Sequence, residues 1–110
     1  AARSAIPVEL AGTTKLVPRS AVRYVEAQGD YARLHTHEGS HLVRIPLSVL
    51  EDRWRDAGFV RIHRSTIVNL EYVERLEPWS HASQHVYLRG LPEPMTMSRR
   101  FGARLRERFG

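Results

Sequence analysis

Hydrophobic and polar residues alternate with a period of two along most of the chain, which is the pattern of strands with one buried face. Turn residues separate neighbouring runs: Gly12 follows the first, Gly29 follows the third, and residues 37–40 join the fourth and fifth as a hairpin. Pro18 ends the second run because it has no N–H group to donate to a ladder. Strands are therefore predicted at residues 8–10, 16–17, 22–27, 31–36, 41–45, 59–62, 66–68, 73–76, 85–88 and 95–97.

The period changes to that of a helix in the middle of the chain. Three large apolar residues fall on one helical stripe there, namely Leu47, Leu50 and Trp54. Ser48 and Glu51 have the spacing of a capping box, which predicts the start of this helix. Gly58 predicts its end.

A second helix is predicted at the C-terminal end, with Ser98 as its N-cap. The residues expected to face the core recur every four positions and are Phe101, Leu105 and Phe109. The basic residues of this segment fall mainly on the other faces and are Arg99, Arg100, Arg104, Arg106 and Arg108. Many short strands with one inserted helix and one terminal helix predict a mainly β domain of antiparallel sheets.

Composition limits the class of protein. The chain has 110 residues, of which 42% are hydrophobic and 26% are charged, as expected for one folded domain. It has no cysteine, which excludes disulfides, thiolate metal sites and a cysteine nucleophile. No secretory signal is visible and no apolar run is long enough to span a membrane, so a cytoplasmic location is expected.

Charge narrows the class of partner. The formal net charge is +5, the isoelectric point is about 10.4, and 17 residues are basic, of which only Lys15 is a lysine. A basic surface attracts polyanions, and a planar guanidinium suits both phosphate and guanine. The distribution is uneven, because residues 99–108 are strongly basic whereas residues 71–77 are net acidic. Charge alone leaves an ordinary solvated surface as an equal alternative.

Catalytic and metal-binding patterns are weak, so the chain is not predicted to be an enzyme and no cofactor is expected. Residues 37–41 read His-Glu-Gly-Ser-His, but zincin chemistry requires a helix, and glycine followed by serine predicts a hairpin tip instead. An incidental metal site from His35 and His37, on one strand face, is an alternative. Ser65 near His63 has no visible orienting acid, which favours a structural or ligand-contacting role for both.

Residues 59–69 carry a resemblance to a known family. They read F-V-R-I-H-R-S-T-I-V-N and match every named position of the pattern F-x-R-I-H-R-S-x-I-V-N, which is characteristic of the LytTR family. These are DNA-binding output domains of bacterial response regulators. Residues 24–31 resemble the family's early strand–turn–strand signature, and residues 97–100, followed by Leu105, are similar to its closing motif. Leu47, Leu50 and Glu51 sit where the family has its central helix, and the resemblance covers about residues 6–109.

The resemblance implies an elongated, mainly β fold of antiparallel sheets with a short central helix and a C-terminal helix. Three loops of that fold, rather than a recognition helix, enter successive major grooves of DNA. The residues carried over to these loops are Gln28, Asp30, Tyr31 and Arg33 in the first, His63, Arg64 and Ser65 in the second, and Ser98, Arg99 and Arg100 in the third.

Individual roles follow from side-chain chemistry. Arg64 and Arg99 are expected to contact bases, because a guanidinium matches the O6 and N7 atoms of guanine, whereas Arg100 is expected to bind phosphate. The first loop departs from the family's polar or basic pattern through acidic Asp30 and small Ala32, so Arg33 is a substitute contact. Other positions have equal or stronger structural alternatives: Tyr31 fits core packing equally well, His63 and Arg61 fit bracing of their strand equally well, and Asn69 better fits shaping of the next turn.

Sequence-specific binding of double-stranded DNA is therefore the first hypothesis. The resemblance implies promoter direct repeats about one helical turn apart, and a receiver or other regulatory domain preceding this chain. Residues 1–5 are expected to be a linker remnant and residues 6–110 the domain, monomeric alone and dimeric on DNA. Two alternatives remain: a β-rich interaction domain for an acidic protein, and RNA binding, for which surface aromatics are scarce at 8% Phe, Trp and Tyr.

Overall fold

The computed structural model describes residues 5–80 and 83–109, which form strands joined by short turns and two helices. The strands are β1 (Ala5–Leu10), β2 (Thr13–Pro18), β3 (Tyr24–Gln28), β4 (Tyr31–Thr36), β5 (Gly39–Val43), β6 (Phe59–His63), β7 (Thr66–Asn69), β8 (Val73–Pro78), β9 (Gln84–Leu88) and β10 (Met95–Met97). The helices are α1 (Leu47–Arg53) and α2 (Arg99–Phe109). Every predicted strand and both predicted helices are confirmed in type.

The strands form three antiparallel sheets. One is the β1-β2 hairpin, one has five strands in the order β5-β4-β3-β7-β6, and one has three strands in the order β10-β9-β8. The principal extents are 47 × 26 × 26 Å, so the elongated, mainly β architecture is confirmed. No helix in the described ranges is both long enough and apolar enough to cross a bilayer.

The five-stranded sheet is the middle layer and contributes to two hydrophobic cores. Phe59 and Ile67 face the first core, which α1 and the β1-β2 hairpin cover. Val60 and Val68, their neighbours in sequence, face the second core, which the three-stranded sheet and α2 cover. Burial on both faces explains why β6 and β7 are nearly continuous apolar runs, whereas the outer strands alternate.

Helix α1 begins differently from the prediction. Its first residue is Leu47 and its N-cap is Pro46, with no side-chain cap hydrogen bond, so the capping box from Ser48 is wrong. The carbonyl oxygen of Pro46 accepts the first hydrogen bonds of the helix, from the N–H groups of Val49 and Leu50 at 3.0 and 3.2 Å. The predicted end of α1 at Gly58 is also wrong, because the helix ends at Arg53; Gly58 instead ends a short 3₁₀ turn that follows, with a φ of +86° that favours glycine.

Helix α2 begins where predicted, because the carbonyl oxygen of Ser98 accepts hydrogen bonds from the N–H groups of Phe101 and Gly102 at 3.1 and 3.0 Å. The Ser98 hydroxyl oxygen is buried and has no hydrogen-bond partner in the described part of the chain, so the expected side-chain cap is absent there. Phe101 and Leu105 are buried as predicted. The predictions for Phe109, Arg104, Arg106 and Arg108 concern side chains outside the described part of the structure.

Other strand boundaries shift by three residues or fewer, and the largest shifts are at β1 and β2, which each begin three residues earlier than predicted. Strand β3 begins at Tyr24 rather than at residue 22, and β5 ends at Val43 rather than at residue 45. The linker predicted for residues 1–5 lies mainly outside the described residues, and β1 begins at Ala5. Residues 81–82 of the loop predicted between β8 and β9 also lie outside them.

Candidate nucleic-acid interface

Two backbone hydrogen bonds join the three predicted loops. The loops are named the first loop (residues 28–31), the second loop (residues 63–66) and the third loop (residues 98–100). The Ala27 N–H, at the end of β3, donates to the carbonyl oxygen of Ser65 at 2.9 Å. The Ser98 N–H donates to the carbonyl oxygen of Ile62, at the end of β6, at 3.0 Å. The second loop is therefore held between the other two, and all three lie in a row along one edge of the molecule.

The first loop is a tight turn between β3 and β4, closed by Gly29 at a φ of +62° and by exposed Asp30. Arg33 is half-buried, and its Nε donates to Gln28 Oε1 at 2.9 Å while its Nη1 donates to Ser40 Oγ at 3.0 Å. Tyr31 is half-buried, with the Arg44 guanidinium 5.4 Å from its ring centre. The side chains of Arg33 and Gln28 are thus hydrogen-bonded to each other, whereas the acidic side chain of Asp30 is exposed to solvent.

The second loop is braced from inside by its own histidine. His63 Nδ1 accepts the Ser65 N–H at 3.2 Å and lies 2.9 Å from Ser65 Oγ. An Nδ1 atom that accepts must carry no proton, so the neutral ring has its hydrogen on Nε2. His63 and Ser65 therefore fix the turn, and the exposed side chain at its tip is that of Arg64.

Arg61 is a second brace for this loop. Its Nη1 lies 3.1 Å from Glu51 Oε1 on α1, its Nε donates to the carbonyl oxygen of His63 at 3.3 Å, and its Nη2 donates to the carbonyl oxygen of Arg64. Its guanidinium carbon is also 6.0 Å from the ring centre of Phe101 on α2. The partner on α1 was not predicted, since no local pattern links residues 51 and 61.

The third loop places two arginines at the start of α2. Arg99 and Arg100 are both exposed, and the Arg100 guanidinium lies 5.6 Å from the Phe101 ring centre. A helix N-terminus carries a partial positive charge and unpaired N–H groups, which favour an anion. Among the described residues, Arg64, Arg99 and Arg100 form no ion pair with a carboxylate.

The other patterns considered for chemistry take structural positions. Residues 37 and 38 form the turn between β4 and β5, so this segment does not have the helix that a zincin site needs. Within the described ranges, no three histidine or carboxylate side chains are grouped so that they could hold a metal ion. Asn69 is buried and donates to the carbonyl oxygen of Val22 at 3.0 Å while accepting from the Glu71 N–H at 3.1 Å, which confirms its turn-shaping role.

One protein family and several regulatory proteins are similar in sequence to this chain. A family model described as the LytTr DNA-binding domain matches residues 12–110. The CO-responsive transcriptional regulator RcoM of Rhodospirillum rubrum is 41% identical over 68 residues, which cover 62% of this chain and 29% of that protein. The positive alginate biosynthesis regulatory protein of Pseudomonas aeruginosa is 35% identical over 105 residues, which cover 94% of this chain and 42% of that protein. The chain thus spans less than half the length of these relatives.

The fold is also found in a solved structure. A LytTr DNA-binding domain from Bacillus cereus superposes with a TM-score of 0.86 at 23% identity, and the match covers 97% of each chain. The likeness in fold therefore extends over almost the whole chain.

Proposed function

The chain belongs to the LytTR family of DNA-binding domains, and we propose that it binds double-stranded DNA sequence-specifically as the output domain of a bacterial transcription regulator. In this proposal the three loops form one continuous contact surface. Bases are read from the turns rather than from a helix laid in the groove.

One observation carries the proposal: Arg64 and Arg99 both lie beside the end of β6, Arg64 in the turn that follows it and Arg99 at the start of α2. Arg64 directly follows the last residue of β6, and Arg99 directly follows Ser98, whose N–H is bonded to Ile62 of that strand. Two guanidiniums next to one strand end, neither in an ion pair with a carboxylate of the described residues, suit the acceptors of guanine in a major groove. Their common attachment to a sheet fixes the spacing between them, which favours reading a particular sequence.

The remaining loop residues take supporting roles. Arg100 binds a phosphate together with the N–H groups that open α2. His63 and Ser65 hold the second loop, because their polar atoms already bond each other. Gln28 and Arg33 hold the first loop in the same way. Asp30 repels phosphate, so a base contact by the first loop is limited to an amino group such as N4 of cytosine.

The wider assembly is proposed from the relatives. One of them is a transcriptional regulator and the other a regulatory protein of alginate biosynthesis, and both are longer than this chain, so a receiver or other regulatory domain outside it supplies the signal. Two copies of the domain occupy a promoter direct repeat in the cytoplasm, and each is monomeric without DNA. Residues 6–110 act as one unit in this assembly.

Selection from a random duplex library tests the proposal. A recovered motif rich in guanine at fixed positions, repeated in the same orientation, supports both base reading and the paired arrangement. Binding should weaken steeply with salt on a log–log plot while preference for the recovered motif is retained. If the library yields no motif, and the domain instead retains an acidic protein with similar salt dependence, the alternative of a basic protein-interaction domain replaces this one.

A further inference from the structure

The three-stranded sheet carries a row of rings on its outer face. The indole of Trp79 stacks on His85 with ring centres 4.3 Å apart and planes 17° from parallel, and His85 meets Tyr87 edge-on at 6.3 Å. Their alternation partners Val86 and Leu88 point into the second core. Trp79 is 67% exposed. We name Trp79, His85 and Tyr87 the aromatic row.

Strand register places this row beside the third loop. Gln84 of β9 pairs with Pro78 of β8 on one side and with Met97 of β10 on the other. Strands β8 and β10 run in the same direction, so the chain leaves both of them at the same end of the sheet. Adjacent strands are about 4.8 Å apart, which puts the backbones of Trp79 and Ser98, each one residue beyond its strand, about 10 Å apart.

The position of Trp79 is fixed by its loop. Its N–H donates to the carbonyl oxygen of Ser83 at 3.1 Å, and the hydroxyls of Ser80 and Ser83 lie 2.6 Å apart. The backbone of Trp79 is thus bonded to Ser83, and its indole is stacked on the His85 ring. A ring that is held in place loses little side-chain entropy when it makes a contact.

We infer that Trp79 is a fourth DNA contact, which packs its indole against the deoxyribose backbone that borders the groove entered by Arg99. The inference rests on the proposed function. A major groove is about 12 Å wide, so a strand of the duplex passes at the distance that separates Trp79 from Ser98. The indole offers an apolar face to sugar C–H groups, and such a contact adds affinity without selecting a sequence.

Charge on the row is compatible with a polyanion. Glu77 shares this face, but its Oε2 is 2.7 Å from Nε of Arg75, and Nη1 of Arg75 is 3.0 Å from Glu74 Oε1. The Arg75 guanidinium lies 3.8 Å from the Tyr87 ring centre, which keeps it beside both carboxylates. Arg75 offsets one of these two carboxylates, so the three side chains keep a net charge of −1, which favours contact of Trp79 with sugar C–H groups over contact with a phosphate.

Fluorescence provides a direct test, since the chain has two tryptophans and Trp54 is buried. The probe is a duplex recovered by selection with the wild-type chain. Acrylamide should quench the free protein strongly through Trp79, and the saturated complex weakly, close to the level of Trp79→Phe. Trp79→Ala should weaken binding to selected and scrambled duplexes alike, by about five- to tenfold. Leu16→Ala is the matched control, because Leu16 is 61% exposed beside Lys15, which pairs with Glu38 at the far end of β4.

The outcomes separate the two proposals. If no duplex is recovered or bound, the proposed function fails, and the fourth contact fails with it. If the duplex binds to saturation and acrylamide still quenches Trp79 as in the free protein, the fourth contact alone is wrong. Protection of Trp79 that grows with protein concentration in the absence of DNA would assign the row to a second copy of this chain and would also overturn the inference.

Discussion

The Nη2 atom of Arg61 donates a hydrogen bond to the carbonyl oxygen of Arg64, the residue proposed to read a base. The same guanidinium bonds the carbonyl oxygen of His63 and the carboxylate of Glu51 on α1. It therefore fixes the peptide units from which the Arg64 side chain projects, and it links the loop to a helix on the other side of the strand. Because Arg61 is half-buried and has its donors engaged, it acts on DNA through Arg64 rather than by direct contact.

Arg61→Lys is the variant that tests this positioning role. An ammonium keeps the charge opposite Glu51 but cannot reproduce the fork that holds two carbonyl oxygens at once. We expect preference for the selected duplex over a scrambled one to fall by about 1 kcal/mol, with non-specific affinity nearly unchanged. Fluorescence anisotropy with the two duplexes measures both quantities.

Arg55→Lys is the control for that change. Arg55 pairs with Asp52 on the surface of the same region, where exposed ion pairs contribute about 0–1 kcal/mol, and we expect no change in DNA preference. A loss of stability in Arg61→Lys with full preference retained would make Arg61 a purely structural residue.

Arg64→Ala and Arg99→Ala should each lower the preference for the selected duplex by about 1–3 kcal/mol, because each removes a donor pair to a base edge. Competition between selected and scrambled duplexes at fixed salt measures this preference. The loss should be localised, so that each variant becomes indifferent to a different base pair of the motif.

Arg100→Ala should behave differently, because its proposed partner is a phosphate. Affinity for selected and scrambled duplexes should fall by the same factor, and the log–log salt slope should decrease by about 1. A salt series from low to physiological ionic strength provides the slope. If Arg64, Arg99 and Arg100 respond alike, the division between base and phosphate contacts is wrong.

Local patterns predicted the elements, and the resemblance to the LytTR family supplied the residues of the three loops. Alternation marked each strand, and Gly29 and Gly58 marked turns whose positive φ angles require such a residue. The start of α1 was missed because Pro46 serves as N-cap where Ser48 offered the more familiar signal. A proline N-cap and a capping box are both short-range signals, and here the proline sets the start of the helix.

Long-range features were beyond the reach of these patterns. The bond between Ile62 and Ser98 joins the second and third loops across the two sheets, and nothing in either segment specifies its partner. The ion pair of Arg61 with Glu51 and the stack of Trp79 on His85 have the same character. Such contacts depend on how sheets pack, so the order of the loops was predicted and their joining was not.

Asn69→Ala should destabilise the fold, because it removes two hydrogen bonds as well as a small amount of side-chain volume. Its amide bonds the carbonyl oxygen of Val22 and the N–H of Glu71 in a buried position, and both groups lose a partner in the variant. We expect the free energy of unfolding to fall by about 1–3 kcal/mol in a urea titration. Thr14→Ala, which removes an exposed hydrogen bond to Glu9, should change it by less than about 0.5 kcal/mol. Equal effects would mean that the Asn69 bonds add nothing to stability.

The environment of His35 should make the folded state less stable below neutral pH. It stacks on Tyr24 with ring centres 4.1 Å apart, and burial lowers its pKa, an effect that Arg33 reinforces and that Glu26, 2.8 Å from Nε2, partly opposes. The folded state then binds the proton less readily than the unfolded state, whose histidine has an ordinary pKa of about 6.5. The contribution of His35 is therefore complete above about pH 6.5 and declines as the pH falls towards the lower folded-state pKa.

The measurement is the difference in urea midpoint between pH 7.5 and pH 5.5, which should be smaller in His35→Gln than in the wild-type chain. His37→Gln is the control, because it changes an exposed histidine in the β4-β5 turn without touching the Tyr24 stack. A proton titration of the His35 ring by NMR decides between the two opposing influences. A midpoint below 6.5 means that burial and Arg33 prevail, whereas a midpoint above it means that the Glu26 carboxylate does, and stability should then increase rather than decrease as the solution is acidified through that range.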